Sequence, residues 1–144
     1  MKKSTRTIHY LVVHCSATPE GREHTAKDID LWHRQRGFEG IGYNYIVRLD
    51  GTVEEGRDVN KIPAHVTNHN KDSIGICYIG GIDKNTLQPK DTRTVAQKEA
   101  LKKLLKELKT LYPQAEILGH RDFPGVAKAC PCFNAKDEYK SISK

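Results

Sequence analysis

No run in this 144-residue sequence approaches the ~18 consecutive apolar residues that a helix needs to cross a bilayer, so membrane insertion is not expected. Low-complexity tracts and internal repeats are missing as well, which sets aside disordered, solenoid and fibrous architectures. Aromatic residues are only 7% of the chain, and they do not interleave with the basic residues into a base-stacking stripe. The densest basic cluster, Lys98 to Lys109, alternates with leucines and reads as the solvated face of a helix. Nucleic acid is therefore not the expected partner, although 24 Lys and Arg against 18 Asp and Glu leave a formal charge of +6 that suits an anionic one. No pair of acids stands out as flanking a site: Glu54 and Glu55 follow a turn, and Asp122 belongs to a histidine-containing loop. The paired carboxylates that glycoside hydrolysis usually needs are not in view.

Hydrophobic residues make up 37% and charged residues 29%, a globular balance at the length of one ordinary domain, so a single domain over 1–144 with its core at about 8–133 is expected. Met1-Lys-Lys-Ser-Thr-Arg6 begins like a secretory signal. The apolar stretch behind it is only Ile8 to Val13, is broken by His9 and has no small-residue cleavage site, so it reads as a strand and the product as cytoplasmic on synthesis. In that reducing setting the four cysteines are thiols. Cys15 and Cys77 lie in apolar runs and are expected buried.

The periodicities alternate between strand and helix. Ile8 to Val13 is a buried strand delivering His14 at its end. Thr25 and Asp28 form a capping box for a helix over 25–36, closed by Gly37. Gly42 to Leu49, Asp50-Gly51 and Thr52 to Glu55 spell a hairpin with a type I′ turn. Ser73 to Ile79 is another buried strand. Thr94 and Gln97 cap a second helix whose leucines 101, 104, 105, 108 and 111 share one face, and Pro113 ends it. Ala115 to Leu118 is a last strand before His120, and the tail from Asn134 can form a short helix. The fold class is α/β, a single domain with a central mixed β-sheet flanked by helices.

Two strands that end in histidines, His14 and His120, and a thiol at Cys130 shortly after the second, fall where α/β sheets build their sites. Neutral imidazole and thiolate suit zinc, and three protein ligands with an open fourth position make a catalytic site. The residues also fit a plainer account, in which the histidines finish strands and the cysteines fill the core. Cys132 rivals Cys130 for the thiol, and spacing alone does not separate them.

The segments Val13-His-Cys-Ser-Ala-Thr18, Gly42-Tyr-Asn-Tyr45, Asp50-Gly-Thr-Val-Glu54, Asn68-His-Asn70, Ser73-Ile-Gly-Ile-Cys77, Gly80-Gly-Ile-Asp83, Gly119-His-Arg-Asp122 and Lys128-Ala-Cys-Pro131 occur in that order. Together they resemble the N-acetylmuramoyl-L-alanine amidases of the short phage-lysozyme and peptidoglycan-recognition-protein type, from about Ile8 to Phe133. The resemblance implies a zinc site in a surface groove, with one Zn2+ per chain held by His14, His120 and Cys130, the last chosen over Cys132 by the Lys-x-Cys pattern. It implies catalytic roles for Tyr43 and Lys128 beside the metal, and a substrate-binding place for His65 in the groove. His69 and Asn70 are further groove candidates, while His9, His24 and His33 are assigned to surface or core. The implied activity is zinc-dependent hydrolysis of the amide between N-acetylmuramic acid and L-alanine in peptidoglycan, reached after release or assisted export. The resemblance carries two alternatives with it: a non-hydrolytic peptidoglycan-binding module, and an amidase that also inhibits a phage RNA polymerase, as phage lysozymes of this type imply. The chain departs from muropeptide-recycling relatives in one respect, carrying Ile79 where they have a catalytic Glu.

Overall fold

The computed structural model describes residues 1–126 and 129–143. Its centre is a five-stranded sheet in the order β4-β3-β5-β1-β7, made of β1 (Tyr10–Cys15), β3 (Tyr45–Val47), β4 (Val53–Glu55), β5 (Ser73–Tyr78) and β7 (Glu116–Gly119). β1 runs parallel to β5 and β7, β5 parallel to β3, and β3 antiparallel to β4, so the sheet is mixed as expected. A small parallel pair, β2 (Thr18–Pro19) with β6 (Gly81–Ile82), extends the carboxyl ends of β1 and β5. The sequence gives no signal for it, since two residues are too short for any periodicity.

Alternation along the strands divides the core. Leu11, Val13 and Cys15 of β1 and Ile74, Ile76 and Tyr78 of β5 face α2 (Val95–Leu111), which meets them with Leu101, Leu104, Leu105 and Leu108. On the other face Ile46, Cys77 and Ile79 pack on Ile29 of α1 (Ala26–Gln35). Both long helices begin with the capping boxes read from the sequence, Thr25 with Asp28 and Thr94 with Gln97. Gln97 is fully buried because its amide also donates to the carbonyls of Val47 and Ile79, tying the start of α2 to the ends of β3 and β5. The tail forms two short helices, α3 (Ala135–Glu138) and α4 (Lys140–Ser143). Arg93, paired with Asp91 and Glu138, lies 3.4 Å over the Phe133 ring and fastens this end to the loop before α2.

His14 lies at the carboxyl end of β1 as expected, in register with Cys77, and the strand runs on through Cys15. One expectation is corrected. The hairpin turn is not type I′, which needs positive φ at both central residues. Only Gly51 has positive φ, and its N–H closes a bond to the Arg48 carbonyl, so the chain turns over Arg48–Gly51 with glycine last. Leu111 is packed at the edge of the leucine face and only partly buried.

That difference in burial is measurable. Leu105→Ala, at a fully buried position, is expected to lower unfolding free energy by roughly 2–5 kcal/mol. Leu111→Ala, at the partly buried end, should cost less than half as much in the same urea titration. Equal losses would show that α2 is rotated from the orientation described.

Candidate metal centre and groove

The site grows from the face of β1 opposite α2. His14 is 1% exposed and its ring lies against three others: His120 at 4.5 Å, His65 at 4.8 Å and Tyr43 at 5.0 Å between centroids. Burial holds the His14 imidazole well below the usual histidine pKa, and the neighbouring His65 and His120 rings push the same way. The ring is therefore neutral at physiological pH, the form in which imidazole ligates metals.

His120 opens the short 3-10 turn His120–Asp122 directly after β7. The Asp122 carboxylate accepts from the Gly119 N–H at 2.8 Å and shapes that turn. Cys130 is brought in by its surroundings: its carbonyl accepts from the Arg121 N–H, and its sulfur accepts from the Cys15 N–H at 3.2 Å. Immediately after it, the Tyr78 hydroxyl donates to the Pro131 carbonyl, and Phe133 is buried in the core. The loop is thus pinned on both sides of the thiol.

One ligand atom each from His14, His120 and Cys130 lies within 4.8 Å of the others. The Cys130 sulfur is 3.8 Å from His14 Nδ1. Tetrahedral zinc with Zn–N of ~2.05 Å and Zn–S of ~2.3 Å would set those two atoms about 3.6 Å apart. The donor set and its spacing fit a metal ion with a fourth position left over. Cys132 points elsewhere. It is 3.8 Å from the Cys15 sulfur and donates to the Gly81 carbonyl at 3.3 Å, and its thiol pKa is raised by the Cys15 contact and by burial. Cys15 and Cys77 are both buried thiols, as expected.

A groove of about 690 Å³ opens over this cluster, bordered by His14, His120, Cys130, Tyr43, His65, His33, Arg36, Phe38 and Asn70 among others. Among the described residues its lining contains no Asp or Glu. Burial raises the Tyr43 phenol well above its ordinary pKa, as do the Cys77, Cys130 and Cys15 thiols, so it stays protonated and can donate. His33 is buried and accepts from the Gly42 N–H through Nδ1, linking Phe38 to Tyr43 in a row of rings. His69 is not in the lining; it packs on Tyr10 and Phe123. Lys128 lies outside the described residues. Ser73, Gly75 and Asn70 lie in family-like segments, but nothing in the sequence marks their contacts with His65: the Ser73 hydroxyl is 2.8 Å from Nε2, Gly75 lies under the ring, and Asn70 Oδ1 accepts from the His65 N–H.

The N-acetylmuramoyl-L-alanine amidase family model matches residues 4–133. Endolysins of Klebsiella phage KP32 and Escherichia phage T7 are 42% and 36% identical over 126 and 134 residues. Those alignments cover 88% and 93% of this chain and 82% and 87% of the relatives. Among solved structures, the endolysin amidase LysCS from Clostridium intestinale superposes with a TM-score of 0.77 at 27% identity, covering 98% of this chain and 87% of that one. Wild-type Drosophila PGRP-LB gives 0.74 at 27% identity, with 97% and 84% covered. The chain belongs to the N-acetylmuramoyl-L-alanine amidase family.

The two thiols make separable predictions. Cys130→Ser is expected to abolish stoichiometric zinc in metal analysis of the purified protein, whereas Cys132→Ser should retain it. The opposite pattern would hand the ligand role to Cys132.

Proposed function

We propose that this chain hydrolyses the amide between N-acetylmuramic acid and L-alanine of peptidoglycan with a single zinc ion held by His14, His120 and Cys130. Amide hydrolysis on peptidoglycan follows from membership of the family. The observation that carries the zinc reading is the convergence of two imidazoles and a thiol within 4.8 Å at the floor of a groove whose described lining has no carboxylate. Bound there, zinc supplies an activated water and polarises the scissile carbonyl.

The protein's own groups do the rest. His14, His120 and Cys130 would hold the ion as three protein ligands at the groove, which has room for a planar amide beside them. Tyr43, protonated and 5.0 Å ring to ring from His14, is placed to hydrogen-bond negative charge as it develops on the carbonyl oxygen. We assign Lys128 the complementary role of an ammonium facing that charge, on the strength of its Lys-x-Cys position. No helix among the described residues is long and apolar enough to cross a membrane, and we assign access to the wall to release or assisted export.

Purified peptidoglycan should release new N-terminal L-alanine as turbidity falls, without new reducing sugar, and a chelator should stop the reaction until zinc is restored. New reducing ends, or full activity after chelation, would sink this reading. Wall that is bound but not cut would put a recognition module in its place.

Tyr43→Phe and Lys128→Ala should keep zinc and fold while losing on the order of a hundredfold or more in kcat. Near-normal turnover in both would remove them from the mechanism. Polymerase inhibition rests on the resemblance to phage lysozymes, and a pulldown with the cognate phage RNA polymerase decides it.

A further inference from the structure

His14 is engaged at both ring nitrogens. Nδ1 faces the Cys130 sulfur at 3.8 Å, while Nε2 is 2.7 Å from Nδ1 of His65. The other nitrogen of His65, Nε2, is 2.8 Å from the hydroxyl of Ser73, which is 0% exposed in β5. Metal ligand, second imidazole and buried hydroxyl thus form one continuous hydrogen-bonded line.

The protons on that line have two self-consistent arrangements. In one, Ser73 donates to His65 Nε2, His65 donates from Nδ1 to His14 Nε2, and the His14 proton is left on Nδ1, where it blocks the lone pair facing Cys130. In the other, His14 donates from Nε2 to His65 Nδ1, and His65 donates from Nε2 to Ser73. Only the second leaves His14 Nδ1 free to ligate, because a neutral imidazole carries one proton and one lone pair.

The fold holds His65 in place for this contact. Asn70 Oδ1 accepts from the backbone N–H groups of both His65 and Val66, at 2.9 and 2.8 Å, fixing the loop at the residue itself. The ring then lies on β5 at Gly75, where an added Cβ would sit 2.9 Å from Cγ and 3.0 Å from Cδ2 and Nδ1. Strand alternation puts Ser73, Gly75 and Cys77 on the same face as His14, so β5 supplies the hydroxyl and the gap from consecutive positions of one face. With both nitrogens engaged, His65 borders the groove without a free nitrogen to offer a substrate.

We propose that His65 and Ser73 are positioning residues of the metal centre, a relay that orients His14 as an Nδ1 ligand. The proposal rests on the zinc amidase reading above but concerns metal binding, which is measured without substrate. Outer partners of this kind fix the tautomer and basicity of a ligating imidazole, and their loss lowers metal affinity about 10–100-fold.

The test uses the full chain loaded with zinc. Long-range proton–nitrogen NMR spectra of the unmodified protein should show His14 protonated at Nε2 and zinc-bound at Nδ1, with His65 protonated at Nε2. Zinc affinity by chelator competition should fall about 10–100-fold in His65→Leu. It should recover substantially in His65→Asn, whose amide oxygen can replace the Nδ1 acceptor. Ser73→Ala and Gly75→Ala, which leave every ligand in place, should each weaken zinc several-fold, the first by removing the terminal acceptor and the second by displacing the ring.

Zinc bound through His14 Nε2 overturns the relay. So does an affinity within twofold of the unmodified chain in folded His65→Leu, or in Ser73→Ala and Gly75→Ala together should His65→Leu not fold. An unmodified chain that takes up no zinc overturns the metal reading and the relay together, whereas zinc uptake without peptidoglycan hydrolysis leaves the relay standing and removes the amidase reading.

Discussion

The alternation of β1 inside a parallel sheet is the constraint on which the site depends. Val13, His14 and Cys15 are consecutive, so they face α2, the groove and α2 in turn. Slipping the register by one residue would bury the imidazole under α2 and turn a thiol and a valine into the groove. Strands on both sides of β1 prevent that slip: β5 pairs with it from Tyr10 to Cys15 and β7 from Tyr10 to Val13. The same strand end also reaches the second kind of ligand, because the Cys15 N–H meets the Cys130 sulfur. A single buried strand therefore presents one donor by its side chain and steadies another by its backbone.

Placing a histidine at such a position has a cost, since a buried polar ring without partners loses its hydration uncompensated. His14 offsets it through His65, which is itself satisfied by Ser73. Burial also holds the His65 ring down to a pKa of about 3, so both imidazoles stay neutral and add no positive charge to the cluster. The ligands differ in how they are held. His14 is fixed by the sheet, His120 by a one-turn helix, and Cys130 by a loop fastened at Pro131 and Phe133.

The helices were legible because their signals are local. Thr25 with Asp28, and Thr94 with Gln97, specify both helix starts within four residues, and the leucine face of α2 needs only a period of 3.6. Strand ends were harder. Apolar character stops at Val13, so β1 was read as ending there, yet pairing carries it two residues further because the polarity of His14 is met by His65, a contact invisible in sequence. The turn after β3 was misread for a related reason: Asp-Gly fits a type I′ turn, but here glycine alone takes positive φ while the longer loop donates its hydrogen bond back to Arg48. His14, His120 and Cys130 stand out by position, at strand ends and in the loop that follows, and Tyr43 by the resemblance to the amidase family. Ser73 and Gly75 do not, since each acts only through the ring laid against it.

The choice between the two thiols shows how a backbone decides chemistry that spacing leaves open. Cys132 has φ of +72°, a left-handed conformation uncommon for a residue with a side chain. That reversal, closed by its N–H on the Ala129 carbonyl, folds the loop back so that thiols one residue apart face different neighbours. Cys132 meets Cys15 and the Gly81 carbonyl, while Cys130 meets His14. The first environment contains a hydrogen-bond acceptor and another thiol, and it keeps Cys132 protonated. The second contains the donor N–H of Cys15 and the Nδ1 atom of a neutral imidazole, a pair of donor types that suits the proposed zinc. In the proposed mechanism, the phenol of Tyr43 is held protonated in the same way as Cys132 and so can donate to developing charge but is poorly suited to accept a proton from water. With no carboxylate in the described lining, that proposal sends the proton released on attack to the departing nitrogen. In that proposal charge is stabilised by fixed donors and by the zinc that His14, His120 and Cys130 would hold, and no carboxylate of the described lining is called on.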